Sequence, residues 1–250
     1  MKALITGASS GLGADMARVL ASDGYEVILV ARREGKLNQL KKELGDKAKV
    51  IVKDISSTYN CMELYKEVKD EDIDILINNA GFGLCGFFND LSLDKELDMI
   101  DLNIKSLHTL TKLFMKDFVK KDKGYILNVA SSAGFMAGPL MATYYGTKNY
   151  VVSFTSALYE ELKKLNSNVS VSCLCPGPVN TEFNKVARVK FSIKGENSYD
   201  VAKYAIGKMF SEKLIIVPTF KMKCALFFVR FIPRKVLLKM TYKIQERKTR

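Results

Sequence analysis

Apolar runs of strand length alternate with segments of helical period from the first residues onward, the order of βαβ units that build a parallel sheet. Strands are predicted at about 2–6, 26–31, 49–53, 73–78, 124–130, 169–175 and 214–217. Between them, apolar residues recur at mixed three- and four-residue spacing over about 12–23, 34–44, 57–69, 94–120, 142–166 and 199–211, which predicts helices. Most connections are short. The long ones, 82–93 and 180–198, follow the carboxyl ends of the fourth and sixth strands, where ligands bind in open α/β sheets. No Pro/Gly/Ser linker and no solenoid-type repeat divides the chain. The pattern predicts an α/β fold: a single doubly wound domain with a seven-stranded parallel sheet and helices on both faces.

Composition alters this picture only at the carboxyl end. The 250 residues are 48% hydrophobic and 26% charged, enough apolar material for a sizeable core and too much for disorder throughout. Cys61, Cys85, Cys173, Cys175 and Cys224 form no CxxC pair and read as reduced thiols of a cytoplasmic protein. Met1 leads almost directly into the first strand, and no apolar run approaches the ~20 residues of a membrane span. Neither secretion nor spanning is expected. The net charge is +12, but residues 221–250 carry ten Lys/Arg and a single acidic residue, so the rest of the chain is nearly balanced. No nucleic-acid-binding motif accompanies this charge, and nucleic acid is not an expected partner. Residues 220–250 are read as a basic, partly apolar helical extension of a domain spanning 1–219. Such a tail suits peripheral contact with an anionic inner membrane surface, or packing on the body or a neighbouring subunit.

The first strand runs into Thr6-Gly7-Ala8-Ser9-Ser10-Gly11-Leu12-Gly13, where a helix begins. Glycines at such a turn let the backbone approach a pyrophosphate, which the helix N-terminus stabilises. The spacing is G-x-x-x-G-x-G, and the strand–turn–helix context is the one a Rossmann-type dinucleotide site requires, although a tight structural turn would read the same way. The second strand ends in Val30-Ala31-Arg32-Arg33, with no carboxylate for the ribose 2′-OH of NAD. An Arg here can pair with the 2′-phosphate of NADP, so NADP(H) is favoured and NAD(H) stays open. The alternative makes both arginines the solvated start of the next helix.

Three further segments specify the chemistry: Asn78-Asn79-Ala80-Gly81, Asn128-Val129-Ala130-Ser131-Ser132-Ala133-Gly134, and Tyr144-Tyr145-Gly146-Thr147-Lys148. With the glycine turn, they resemble the short-chain dehydrogenase/reductase family in order and spacing through about residue 183. Tyr144 and Lys148, four residues apart, share one helix face. A nearby cation is expected to lower the phenol pKa from about 10 toward the working pH, making Tyr144 a general acid for reduction and base for oxidation. The four-residue partner of Tyr145 is Asn149, which supplies no charge.

The resemblance implies further roles. Ser131 falls where the family's substrate-orienting serine lies, and Asn103 matches its asparagine that supports a proton-relay water. Pro176, Gly177, Val179 and Thr181 are expected to close around the nicotinamide. Asp54 and Ile55 are expected near the adenine, and Asn79, Ala80 and Gly81 along the cofactor. A homodimer or homotetramer is implied too. Ser10 leaves unfilled a basic position of some NADP-preferring members, which keeps the coenzyme preference open.

The loops presumed to face substrate, 82–88 and 135–141, are apolar, which suits a hydrophobic ketone, aldehyde or lipid-like alcohol and would equally suit core packing. His108, the single histidine, has no partner at metal-ligand spacing, and no metal is expected. The expected function is hydride transfer between NADP(H) and a carbonyl or secondary alcohol by a Ser131–Tyr144–Lys148–Asn103 set. A nucleotide-sensing or membrane-surface interaction protein on the same fold has no need of that set.

Overall fold

A computed structural model describes residues 1–183 and 195–249. Strands β1 (Lys2–Thr6), β2 (Glu26–Ala31), β3 (Ala48–Val52), β4 (Ile75–Asn78), β5 (Gly124–Val129), β6 (Val169–Leu174) and β7 (Ile215–Ile216) form one sheet in the order β3-β2-β1-β4-β5-β6-β7. Every neighbouring pair is parallel. Strands buried on both faces must be apolar almost throughout, and β4 and β6 are buried at every position. The strand order reverses between β1 and β4, so the loops leaving their carboxyl ends diverge and open a crevice there.

Helices α1 (Gly11–Ser22), α2 (Glu34–Leu44) and α7 (Ser198–Phe210) lie on one face. Their apolar stripes bury Met16, Leu20, Leu37 and Ile206 against Ala3, Ile5, Val27 and Leu29. On the other face, α3 (Thr58–Glu67), α5 (Leu107–Lys121) and α6 (Ala142–Lys164) bury Leu64, Leu110, Phe114 and Leu162 against Leu4, Ile28, Leu76 and Ile126. Successive strand residues thus feed opposite cores, which fixes the register of the whole sheet.

One feature departs from the periodicity reading. The helix expected over 94–120 is divided: α4 (Leu93–Ile100) passes through a π-helical turn at Asp101–Ser106 into α5. Backbone hydrogen-bond register leaves no trace in apolar spacing, and such turns gather where a helix serves a site. The tail packs on the body, one of the placements its sequence suits. After α8 (Phe220–Val229) and Pro233, helix α9 (Arg234–Thr249) turns Thr241 and Gln245 into the protein and buries both. Helix α8 is apolar apart from Lys221 and Lys223, yet buries only Leu226.

Candidate active site

The carboxyl edge of the sheet gathers most of the expected residues. Gly7 adopts φ +66°, and a Cβ there would come within 2.8 Å of Ala80 Cα, so the β1 turn and the β4 loop touch backbone to backbone. Asn79 ties them together: its Nδ2 donates to Thr6 O at 3.0 Å and Gly7 O at 3.3 Å. Thr6 Oγ1 accepts from the amides of Asn79 and Ala80. Leu12 and Gly13 occupy the first turn of α1, whose N-cap Ser10 makes no side-chain capping bond. The free amides of that turn suit a pyrophosphate. The glycine turn, closed by Asn79 and opening on a helix N-terminus, fits a dinucleotide.

The two arginines separate. Arg32 is largely exposed and lies 3.6 Å from Asp54 across β2 and β3. Arg33 donates to Ser9 Oγ at 3.0 and 3.1 Å and to Ser10 Oγ at 2.6 Å. Its remaining nitrogen pairs with Glu182 at 2.7 Å, and Lys36 pairs with the same carboxylate at 2.9 Å. Lys36 first, then Arg33, holds the Glu182 carboxyl at about 2. Neither Lys36 nor Glu182 stands out in the sequence; the helical step from Arg33 to Lys36 is the only signal. Ile55 is buried, and its carbonyl accepts hydrogen bonds from Ser106 and Cys61, so it braces the β3 end against the π turn.

Helix α6 buries Tyr144, Thr147, Lys148, Val151 and Thr155 on one stripe, so the helical period that packs it also delivers Tyr144 and Lys148 to the sheet edge. Lys148 Nζ lies 5.9 Å from the Tyr144 ring centre and donates to Val129 O at 2.9 Å. The Ser131 hydroxyl accepts from the Ala133 amide and lies against the Tyr144 phenol, favouring its ionised form.

The balance of pKa effects differs from the sequence expectation. Burial dominates, pushing the Tyr144 phenol well above its usual value and Lys148 down to about 8. Burial thus disfavours ionisation of Tyr144, against the pull of Ser131. Neighbouring Tyr145 is engaged elsewhere, because Gln245 of α9 donates to its hydroxyl and Asn149 donates to its carbonyl.

Asn103 occupies the π turn and is buried. Its side chain holds both backbone groups of Phe82, accepting from N at 3.1 Å and donating to O at 2.9 Å, and reaches Thr147 Oγ1 at 3.1 Å. A Cβ on Gly81 would lie 2.8 Å from Asn103 Oδ1 and 3.6 Å from Lys148 Nζ, so this glycine keeps the passage between them open.

After β6, Pro176 O accepts from the Ser132 amide, Gly177 packs against Met222 of α8, and Val179 is buried beside Glu196. Thr181 lies against Gly11. Of the long connection 180–198, residues 184–194 lie outside the described residues.

Beside Tyr145, Gly146 and Asn149 opens an apolar cavity of about 650 Å³. Phe135, Met136 and Pro139 line one side, while Ile232, Leu237, Leu238 and Arg234 of the tail line the other. A smaller cavity lies between Phe87, Phe88, Leu140 and Tyr242. Neither is lined by Tyr144 itself, whose ring is covered by Phe183 at 5.4 Å between centroids. The contribution of α9 was not expected from sequence; its signal is the spacing of Leu237, Leu238, Thr241 and Gln245 on one face.

The model of the short chain dehydrogenase family matches residues 1–190. The chain belongs to this family of oxidoreductases. An uncharacterised oxidoreductase of Staphylococcus epidermidis is 32% identical over 82% of this chain and 90% of its own length. The human very-long-chain 3-oxoacyl-CoA reductase is 32% identical over 74% of this chain and 62% of that protein. A short-chain dehydrogenase from Sphingobium yanoikuyae in complex with NADPH superposes with a TM-score of 0.83 at 27% identity, covering 92% of this chain and 93% of that one. The sheet order and the glycine turn are thus those of a short-chain dehydrogenase.

Proposed function

We propose that the protein is an NADP(H)-dependent reductase of hydrophobic, lipid-like ketones or aldehydes, working reversibly on the matching secondary alcohols. The carrying observation is the buried Tyr144 phenol beside the Ser131 hydroxyl, with the Lys148 ammonium 5.9 Å from its ring centre. When bound, the nicotinamide coenzyme supplies the hydride in reduction and accepts it in oxidation. Tyr144 gives its phenolic proton to the carbonyl oxygen, and Ser131 orients that oxygen by hydrogen bonding. Lys148 stabilises the resulting phenolate, while Asn103 keeps the Phe82 backbone and Thr147 in place beside it.

The coenzyme is held by Gly7, Ser9, Ser10, Gly11, Leu12 and Gly13 at the pyrophosphate end. Asp54, Ile55, Asn79, Ala80 and Gly81 flank the adenosine half, and Pro176, Gly177, Val179 and Thr181 flank the nicotinamide half. Arg33 supports NADP(H) over NAD(H), because its guanidinium and the Lys36 ammonium, with the Ser10 hydroxyl beside them, converge on one anion position. The NADPH complex of the Sphingobium relative supports the same reading. The acyl-CoA reductase relatives and the apolar cavity support a long-chain substrate.

The tail supports peripheral contact with an anionic membrane. Phe220, Phe227, Phe228 and Phe231 are exposed among Lys221, Lys223, Arg230 and Arg234. Among the described residues, no helix is long and apolar enough to cross a membrane. The family resemblance supports self-association as a homodimer or homotetramer through the outer faces of α5 and α6, which carry the contacting rings of His108, Tyr150 and Phe154.

Loss of NADPH absorbance against a panel of medium- and long-chain ketones and aldehydes tests the reading. Turnover that rises with chain length and is at least tenfold slower with NADH is the expected outcome. Folded protein that binds NADPH and reduces no compound would instead favour a nucleotide sensor.

A further inference from the structure

Residues 181–183 make three contacts in succession across the crevice. Thr181 lies against Gly11 of the glycine turn, with its Cγ2 3.0 Å from where a Cβ would stand. Glu182 fills the anion position made by Arg33, Lys36 and the Ser10 hydroxyl. Phe183 covers Tyr144, and Gly83 makes room for it, since a Cβ there would come within 2.8 Å of Phe183 Cζ. The phenol of Tyr144 is buried in this arrangement, beneath the residue adjacent to the one that plugs the anion position.

A carboxylate with two cationic partners and a neighbouring hydroxyl is a chemical stand-in for a phosphomonoester, which offers more charge and three acceptor oxygens to the same donors. We propose that residues 181–183 form a strap in which Glu182 occupies the place of the coenzyme's 2′-phosphate. A phosphate bound between Arg33 and Lys36 displaces Glu182 and lifts Phe183 from Tyr144. The inference rests on the NADP(H) reading above and adds a consequence to it: the 2′-phosphate both selects the coenzyme and uncovers the proton donor. NAD(H), carrying a hydroxyl in that place, leaves the two ion pairs of Glu182 intact.

The chain contains no tryptophan, so the Phe183→Trp variant carries a single indole reporter on the strap. Its emission is read against 2′,5′-ADP and 5′-AMP, which differ only in the 2′-phosphate, while calorimetry on the wild type measures binding of each. The expected result is a red shift with 2′,5′-ADP and none with 5′-AMP. Adding Glu182→Gln should produce the shift without ligand and tighten 2′,5′-ADP about three- to tenfold, the range expected for releasing two exposed ion pairs. Lys36→Ala should weaken 2′,5′-ADP and leave 5′-AMP unchanged. If 2′,5′-ADP binds with unchanged emission, or if Glu182→Gln fails to tighten it, the strap is overturned while the NADP(H) reading stands. If 5′-AMP binds and 2′,5′-ADP does not, the coenzyme reading itself fails, and the strap with it.

Discussion

Lys148 carries a cost that its position alone explains. Its ammonium is buried with the Val129 carbonyl as its protein acceptor, and burial lowers its pKa from 10.5 to about 8. Between pH 8 and 10.5 the unfolded chain therefore binds more protons at this residue than the folded one, so its contribution to stability rises with pH across that window and is flat below it. Replacing the charge with an apolar chain of similar length should stabilise the protein: Lys148→Met is expected to gain about 1–3 kcal/mol at pH 7 in urea denaturation and to lose turnover. That advantage should shrink as pH rises above 8; a gap independent of pH would contradict the burial argument. In the wild type, kcat/KM for reduction should fall as pH rises through about 8. The four-residue spacing of Tyr144 and Lys148 was legible, but the sign of the tyrosine shift was not. Spacing reveals the cation; only the packed α6 stripe reveals that water is removed from both groups.

Among the elements, the π turn at Asp101–Ser106 shows what periodicity omits. Apolar spacing over 94–120 marks a helix correctly, yet the widened turn that brings Asn103 to Phe82 is a backbone event. The family resemblance singled out Asn103, but not the turn that carries it. Asn103→Leu should strand the Phe82 amide and carbonyl, lowering stability by about 1–3 kcal/mol and turnover more than tenfold, measured by denaturation and initial rates on the same preparation. Helix α9 was read as tail and proves to be wall. Ending the chain at Ile232 removes Leu237, Leu238 and Gln245 from the cavity and from Tyr145. The expected result is a KM for long-chain ketones raised about tenfold, with NADPH affinity unchanged; equal effects on both would point to general unfolding.

On the scale of the whole molecule, the alternation of strand and helix periods sufficed for the seven-stranded parallel sheet, because strands buried on both faces have little choice of residue. What that alternation could not supply was the meeting of distant segments. Glu182 reaches Lys36, and Gln245 reaches Tyr145, through the fold alone. The exposed phenylalanines of α8 and the basic residues around them belong to this scale as well. Sedimentation with anionic vesicles should recover the full chain, much less of a chain ending at Thr219, and little of either at high salt or with neutral vesicles. The central claim concerns the reacting proton, and Tyr144→Phe tests it most directly. Its ring can keep the packing against Phe183 while the proton is gone. With NADPH and a ketone that the wild type reduces, the variant should bind NADPH as the wild type does and turn over about 10²–10⁴-fold more slowly. Turnover within a few-fold of the wild type would contradict the account.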